Sequence, residues 1–490
     1  MRILGLFLIL TSLAAFLAPS AADVPDTRPG AAAATNGTAA IALLDRLSRD
    51  LRGKRLTIDE KDRLQQDVAS QGLRAVYLSL LDQWLDRRAY RRLLFPQSYD
   101  PPEVEAFFHR LETYRHGGMT IHHLPRAGAH RDGQPPCTPD QVVMVKPWWT
   151  GESIAVCADS YRPERVFDEV GYCAGHPEPT DRQPPRPGCG CGPRLLGCIP
   201  PHGFHSIFDG QGNRDVEAEV VETSLDIITR NEPYASTLTT SRTWQSGLVE
   251  FLYLRRELIQ LMREVPYSTA LEKKIDERLR KIDIHAPARW IERQGIYRGT
   301  GLWATPPAVH AARATYRDIA FNALIEYLCV RFHSIHVDSE ALLAAVGNEF
   351  ADLQEYGGLG GSPMRKQPGC KGCHNPIDGS GAMLQGLAMP LYGSYVTGAD
   401  SRGSLYVTGD SDVRGHGASI ADMARLIVQQ PEYATCTVHN SFQRVLKQDV
   451  LASDRPFLDQ LVAEFRANGG RLAPIIRALL TSKTYTGLDL

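Results

Sequence analysis

The chain has 490 residues, of which 43% are hydrophobic and 22% are charged. This composition is ordinary for a globular protein, with apolar material for a core and length for two or three domains. The 54 basic and 56 acidic residues give a net charge of −2, which does not favour nucleic acid or an anionic membrane as a partner.

The N-terminus has the pattern of a secretory signal. Arg2 precedes an apolar run over residues 3–16, and small residues follow at positions 20–22. This run is shorter than the roughly 18–20 apolar residues that span a bilayer, and no other stretch reaches that length. We expect a signal peptide over 1–22, a flexible leader over 23–40 and a mature chain without a transmembrane anchor. Export would place the protein in the periplasm, outside the cell or at the cell surface.

Amphipathic helices are predicted after the leader. Apolar residues recur at helical spacing through IALLDRLSRDLRG, and a further stripe runs through residues 73–95. Between them, Thr57 and Glu60 stand in capping-box positions. A fourth helix is predicted over 101–118, which begins at prolines and ends at glycines. Residues 41–124 are therefore predicted to form an N-terminal helical domain.

Residues 125–205 differ in composition from the rest of the chain. Fourteen of the 32 prolines lie in 125–201, which disfavours helices and long strands. Six of the ten cysteines lie there as well: Cys137, Cys157, Cys173, Cys189, Cys191 and Cys198. Because disulfides are the default in an exported chain, we predict an irregular segment held by disulfides among these six, with short strands at QVVMVKPWW and ESIAVC. Cys329 and Cys436 stand alone in the sequence.

Helical patterns resume in the remainder of the chain. Four apolar stripes predict a central helical domain over residues 206–355. Three or four shorter helices, separated by prolines and by Gly469–Gly470, are predicted within a C-terminal domain over 356–490. The predicted fold class is therefore mainly α, with helical domains and one irregular insert that has room for short strands.

The sequence RKQPGCKGCHNPIDGSG at residues 365–381 carries the strongest chemical signal. Cys370 and Cys373 are followed directly by His374, which is the C-x-x-C-H attachment pattern of c-type haem. The two thiols can each form a thioether with one vinyl group, and the histidine then lies under the iron as proximal ligand. The pattern predicts one covalent haem c, with its iron bound by His374.

Two other interpretations of this motif stay open. Cys370 and Cys373 can form a disulfide beside an incidental histidine. They can also contribute to a zinc site with a second thiol pair such as Cys189 and Cys191, although a C-x-C pair so far upstream is poor zinc-ligand spacing.

GCKGCHNPIDGSG resembles the C-x-x-C-H-x-x-I-D-P-x-G loop of the planctomycete-type cytochrome c families, which are large exported bacterial proteins with several domains around one haem motif. The resemblance runs in order along most of residues 41–485. LSRDLRGKRLTIDEKDRL is similar to their N-terminal helical domain and DIITRNEPYASTLTT to a central segment. DSRGSLYVTGDSDVRGHGASIADMARLIVQQPEYATC is similar to a C-terminal segment and puts Cys436 at a matching position. Where the family loop usually has proline, this chain has Gly379. The resemblance implies a haem c electron carrier or redox module and no particular substrate.

The sixth iron ligand would decide between carrier and enzyme, because an open position permits oxygen or peroxide chemistry. Met389 is the first choice, since it lies fifteen residues after His374; Met383 and His416 are rivals, and His439 is a further candidate. Core packing is the commoner use of such methionines. The sequence favours an electron carrier with an unknown redox partner protein, and leaves open a haem enzyme with peroxidase-like or other oxidative activity.

Overall fold

A computed structural model describes most of the chain. The described residues are 37–95, 108–125, 135–167, 173–174, 190–208, 212–305, 316–331, 376–377, 379–387, 403–407 and 413–488.

The first four helices form a compact N-terminal group. They are α1 (Gly37–Arg52), α2 (Ile58–Gln71), α3 (Leu73–Trp84) and α4 (Arg87–Leu94). The predicted capping box at the start of α2 is confirmed: the Thr57 side chain accepts from the Glu60 amide, and the Glu60 side chain accepts from the Thr57 amide. The stripe predicted through 73–95 is two helices, because Asp86 caps a new helix by accepting from the Ala89 amide at 2.9 Å.

A four-stranded sheet follows, in the order β2-β3-β5-β4. Its strands are β2 (Glu112–His116), β3 (Met119–His123), β4 (Val142–Val145) and β5 (Ile154–Cys157). β2–β3 and β4–β5 are antiparallel, and β3–β5 is parallel. β4 and β5 confirm the two strands expected in the Pro/Cys-rich segment.

The helix predicted over 101–118 is wrong over its described part. Gly117 and Gly118 have φ of +56° and +82° and join β2 to β3. Two consecutive residues with positive φ form the two-residue turn that suits a hairpin. The glycines that resembled a helix end are therefore the turn of a hairpin.

Shorter strands pair elsewhere in the chain. They are β1 (His109–Arg110), β6 (Val166–Phe167), β7 (Cys173–Ala174), β8 (Cys198–Ile199), β9 (Arg242–Gln245), β10 (Arg289–Glu292), β11 (Gly403–Tyr406) and β12 (Val413–Gly417). β1 pairs with β8 in parallel, while β6–β7, β9–β10 and β11–β12 are antiparallel.

The remaining helices lie mainly in the second half of the chain. They are α5 (Ala158–Tyr161), α6 (Gly203–Phe208), α7 (Gly212–Thr229), α8 (Gly247–Glu264), α9 (Thr269–Leu279), α10 (Tyr316–Leu328), α11 (Ile420–Val428), α12 (Pro431–Leu446), α13 (Arg455–Ala467), α14 (Leu472–Thr481) and α15 (Lys483–Thr486). A 3-10 helix spans Ala382–Leu387. Among the described helices, none has both the length and the apolar character that crossing a membrane requires.

The prediction of a mainly α fold is wrong. Twelve strands form five small sheets in the described part of the chain, so the protein has mixed α and β content although helix is the larger share. Two of these sheets, β9–β10 and β11–β12, lie outside the Pro/Cys-rich segment. β9 and β10 are far apart in the sequence, with the Trp244 and Trp290 rings 5.3 Å apart across the pair. A periodicity search within short windows does not reveal such pairing. The predicted domain boundaries stay predictions.

One large hydrophobic core connects the two ends of the chain. It includes buried residues from α1 to α15. The Tyr77 hydroxyl of α3 donates to the Leu480 carbonyl of α14 at 2.6 Å, and the Tyr485 hydroxyl of α15 donates to the Asp50 carboxylate at 2.7 Å. The N-terminal helices therefore pack directly on the C-terminal ones.

Within the described residues there are three disulfides: Cys137–Cys157, Cys191–Cys198 and Cys329–Cys436. The first two confirm, for four of the six clustered cysteines, the cross-linking expected among them. The third joins the two cysteines that stand alone in the sequence, with Cα atoms 5.4 Å apart. Disulfides are typical of proteins that fold in an oxidising compartment.

We predict that the Cys329–Cys436 disulfide contributes more to stability than Cys137–Cys157. The two bridges join residues 107 and 20 positions apart, and loop-closure entropy predicts about 5 kcal/mol for the first and about 3 kcal/mol for the second. Urea unfolding of the two double alanine variants should show the larger loss for Cys329→Ala/Cys436→Ala. An equal loss, or a larger loss for the shorter loop, would contradict this.

Candidate functional site

The residues predicted to hold haem lie outside the described residues. Cys370, Cys373 and His374 belong to this set, and so does Met389. The described chain resumes at Pro376, two positions after the histidine.

The segment that follows the motif packs against the β11–β12 hairpin. A methyl group on Gly379 would lie 2.7 Å from the Tyr406 ring and 2.8 Å from the Ser404 carbonyl oxygen. Such distances leave no space for a side chain, so glycine is required at the position where the resembled family has proline. The glycine at this position therefore has a steric cause in the β11–β12 hairpin.

Met383 lies in the hydrophobic core and is fully buried. A methyl group on Gly417 would lie 2.8 Å from the Met383 sulfur, and one on Gly403 would lie 2.6 Å from its Cγ. Both glycines belong to the hairpin, which encloses the thioether. Met383 thus fills the core at this point, which is the common use of methionine.

His416 lies on β12, opposite Ser404 of β11. The histidine is exposed, and its Nδ1 lies 2.9 Å from the Ser404 hydroxyl oxygen. Among the described residues, Nε2 has no hydrogen-bond partner. A histidine whose one ring nitrogen is held by a hydrogen bond has the arrangement that is usual for a metal ligand. Since Ser404 lies beside Gly379, His416 lies near the described segment that begins at Pro376.

His439 lies on α12 and is half-buried. Burial lowers the pKa of its imidazole, and the Arg331 guanidinium lowers it further. A hydrogen bond with the Asn440 side chain and the charge of Asp449 both raise this pKa. The two charged groups that influence His439 follow α10 and α12 in the chain, and neither belongs to the β11–β12 hairpin.

The disulfides bear on the zinc interpretation of the motif. Cys191 is bonded to Cys198, so it has no thiolate to offer to a zinc ion. Within the described ranges, no group of three or more His, Cys, Asp or Glu side chains has a metal-binding arrangement.

A buried polar cluster around Glu219 of α7 was not predicted. Its carboxylate accepts hydrogen bonds from the Thr243 hydroxyl at 2.9 Å, the Gln245 amide at 2.6 Å and the Tyr253 hydroxyl at 3.1 Å. Arg293 donates to the Tyr253 hydroxyl at 3.2 Å and to the Gly301 carbonyl at 2.6 Å. All these side chains are buried, and together they join α7, β9, α8 and the chain after β10.

Burial raises the pKa of Glu219, and the nearby Arg293 guanidinium opposes this effect. The three donors also favour the ionised form. Because the carboxylate is enclosed and its acceptor atoms are used, we assign the cluster a structural role. The sequence signal is a glutamate among the apolar positions of an amphipathic helix, which does not identify its partners.

No model of a known protein family matches the chain, and neither do curated proteins or solved structures.

We predict that Glu219→Gln is tolerated far better than Glu219→Leu. Glutamine keeps a carbonyl oxygen for the three donors, whereas leucine leaves them buried without an acceptor, at about 1–3 kcal/mol each. Urea unfolding at pH 5 should show a loss at least about 3 kcal/mol larger for the leucine variant. Equal losses for the two variants would contradict the assigned role.

The same variant tests the titration of Glu219. A raised folded-state pKa means that the native state holds its proton more tightly than the unfolded chain does. The stabilising contribution is complete below the ordinary value of 4.5 and is lost as the pH rises through the folded-state pKa. The stability of wild type relative to Glu219→Gln should therefore fall as the pH rises above about 4.5.

Proposed function

We propose that this chain is an exported c-type cytochrome that carries one covalent haem at Cys370 and Cys373, with His374 as the proximal iron ligand, and that transfers electrons to a protein partner. The C-x-x-C-H motif carries the proposal, because that spacing suits two thioethers and an axial imidazole.

The disulfide pairing of the described cysteines supports the proposal. Cys137–Cys157, Cys191–Cys198 and Cys329–Cys436 are bonded pairs, so none of these six cysteines is available to bridge a thiol of the motif. Disulfides form in oxidising compartments, and haem attachment of this type also takes place outside the cytoplasm. We therefore propose the periplasm, the cell surface or the medium of a bacterium as the compartment.

The residues of the motif fit a covalently bound haem in their chemistry. Two thiols and an imidazole are the required donor set, and Gly379 brings the following chain close against the hairpin that carries His416. When bound, haem supplies a one-electron redox centre. His374 would bind its iron, and the choice of sixth ligand would set whether the iron is closed to small molecules.

For the sixth ligand, Met389 stays the first choice, and His416 is the stronger of its two rivals. Met383 has its sulfur enclosed by Gly403 and Gly417, so binding iron would require the hairpin to move away. His416 is exposed and is held through Nδ1, so Nε2 is available.

Covalent haem is tested by intact mass after acid–acetone extraction. We expect the mature chain to retain the mass of one haem, and Cys373→Ser to retain little of it. Cys137→Ala/Cys157→Ala is the control, because it removes cysteines outside the motif and opens the shorter of the two compared bridges, and it should keep the haem. A wild-type mass equal to that of the bare mature chain would exclude the proposal.

The sixth ligand is tested by absorption and redox measurements on Met389→Ala, His416→Ala and Met383→Leu. We expect a low-spin ferric wild type that binds cyanide slowly. The haem of Met389→Ala should become high-spin and its reduction potential should fall, because a thioether ligand stabilises ferrous iron. Met383→Leu, a substitution of similar volume in the core, should leave the spectrum unchanged.

The same measurements separate carrier from enzyme. If only His416→Ala opens the site, the protein is a carrier with two histidine ligands. If the wild type is high-spin, binds cyanide readily and turns over peroxide, the carrier proposal fails in favour of the oxidative enzyme.

A further inference from the structure

A strongly basic groove lies between α1, α4 and the end of α12, and its volume is about 450 Å³. This is within the size range of small-molecule sites. Five cationic side chains and one carboxylate line it: Arg49, Arg88, Arg91, Arg92, Lys447 and Asp50. The local excess of positive charge contrasts with the net charge of −2 for the whole chain.

The groove results from the sequence of α4, RRAYRRLL. Ala89, Tyr90, Leu93 and Leu94 are buried against the core. Arg88, Arg91 and Arg92 are exposed and fall on one face, since they are three and four positions apart. Like charges at this spacing destabilise a helix. Three arginines on one face therefore reduce the stability of α4 itself.

The carboxylates near the groove are already engaged. Asp50 accepts from Lys447 at 3.2 Å and from the Tyr485 hydroxyl at 2.7 Å. Glu222 accepts from Arg87 at 2.6 Å, and Arg91 lies 3.5 Å from its other oxygen. Asp45 lies 3.6 Å from Arg49. These three acids face the five cations of the groove and therefore offset only part of its positive charge.

The arginines of the groove differ in how they are held. Arg92 donates to the Leu51 carbonyl at the end of α1. Gly53, with φ of +74°, lets its guanidinium approach the backbone, since a methyl group there would lie 2.7 Å from the Arg92 Nε. Among the residues that the structure describes, Arg88 has no hydrogen-bond or ion-pair partner. One guanidinium is thus fixed at the wall of the groove, and another is available beside it.

We propose that this groove binds a small multivalent oxyanion, one that carries two or more phosphate or carboxylate groups. Guanidinium groups donate two parallel hydrogen bonds to either kind of group, and several cations in one groove match an anion with more than one charge. The size of the groove fits a small molecule, and the rest of the chain provides no general excess of positive charge for nucleic acid.

Calorimetric titration of the full mature protein with inorganic pyrophosphate and with tricarballylate tests this at low ionic strength. Arg88→Ala/Arg91→Ala should weaken binding of both by roughly tenfold or more, because two charge-assisted contacts are lost. Added salt should weaken wild-type binding as well. Arg88→Gln, which changes only a side chain without described partners, should show a smaller loss in the same direction.

The matched control is Arg74→Ala, which removes an exposed arginine of α3 outside the groove and should bind like wild type. Vesicles containing phosphatidylglycerol distinguish a free anion from a lipid headgroup. The proposal is overturned if neither soluble anion binds wild type, if the groove variants bind as tightly as Arg74→Ala, or if only the vesicles bind.

Discussion

The pairing of α10 with α12, closed by the Cys329–Cys436 disulfide, is the constraint on which the candidate haem region depends. α10 ends at Leu328, and the next residue is the bridged cysteine. The Asn440 amide of α12 donates to the Glu326 carbonyl at 2.8 Å, and Arg444 forms an ion pair with the Glu326 carboxylate. The last turn of α10 is therefore attached to α12 by a covalent bond, a hydrogen bond and an ion pair.

This attachment lies next to one end of the segment that contains the C-x-x-C-H pattern. The described chain stops after Arg331 and resumes at Pro376. On the far side, the 3-10 helix Ala382–Leu387 contacts α10, α11 and β11. Both ends of the intervening segment therefore join the same group of C-terminal elements. The disulfide stands next to the first of these ends.

The successes and failures of sequence interpretation follow from the range of each interaction. The capping box of Thr57 and Glu60 is local, within four residues, and was predicted correctly. The β2–β3 hairpin is also local, but Gly117 and Gly118 suit both a helix end and a hairpin turn, and only the backbone decides between them. Composition and the expected export indicate that cysteines are oxidised. They do not reveal that two isolated cysteines separated by 107 positions meet.

The candidate site shows the same division. The C-x-x-C-H motif is contiguous and can therefore be recognised from the sequence. A sixth ligand is defined by contacts between distant parts of the fold. Met383 and His416 looked equivalent as sequence candidates. The hairpin distinguishes them, because it encloses the Met383 sulfur with Gly403 and Gly417 and leaves His416 exposed beside Ser404.

The basic groove is also formed by residues from distant parts of the chain. Arg88, Arg91 and Arg92 come from α4, but Lys447 follows α12 and joins them only because the C-terminal helices pack on the N-terminal ones. Tyr485 of α15 donates to Asp50 and so fixes the position of the one carboxylate that lines the groove. The contact between the two ends of the chain therefore does more than complete the core, because it also brings Lys447 to the arginines of α4.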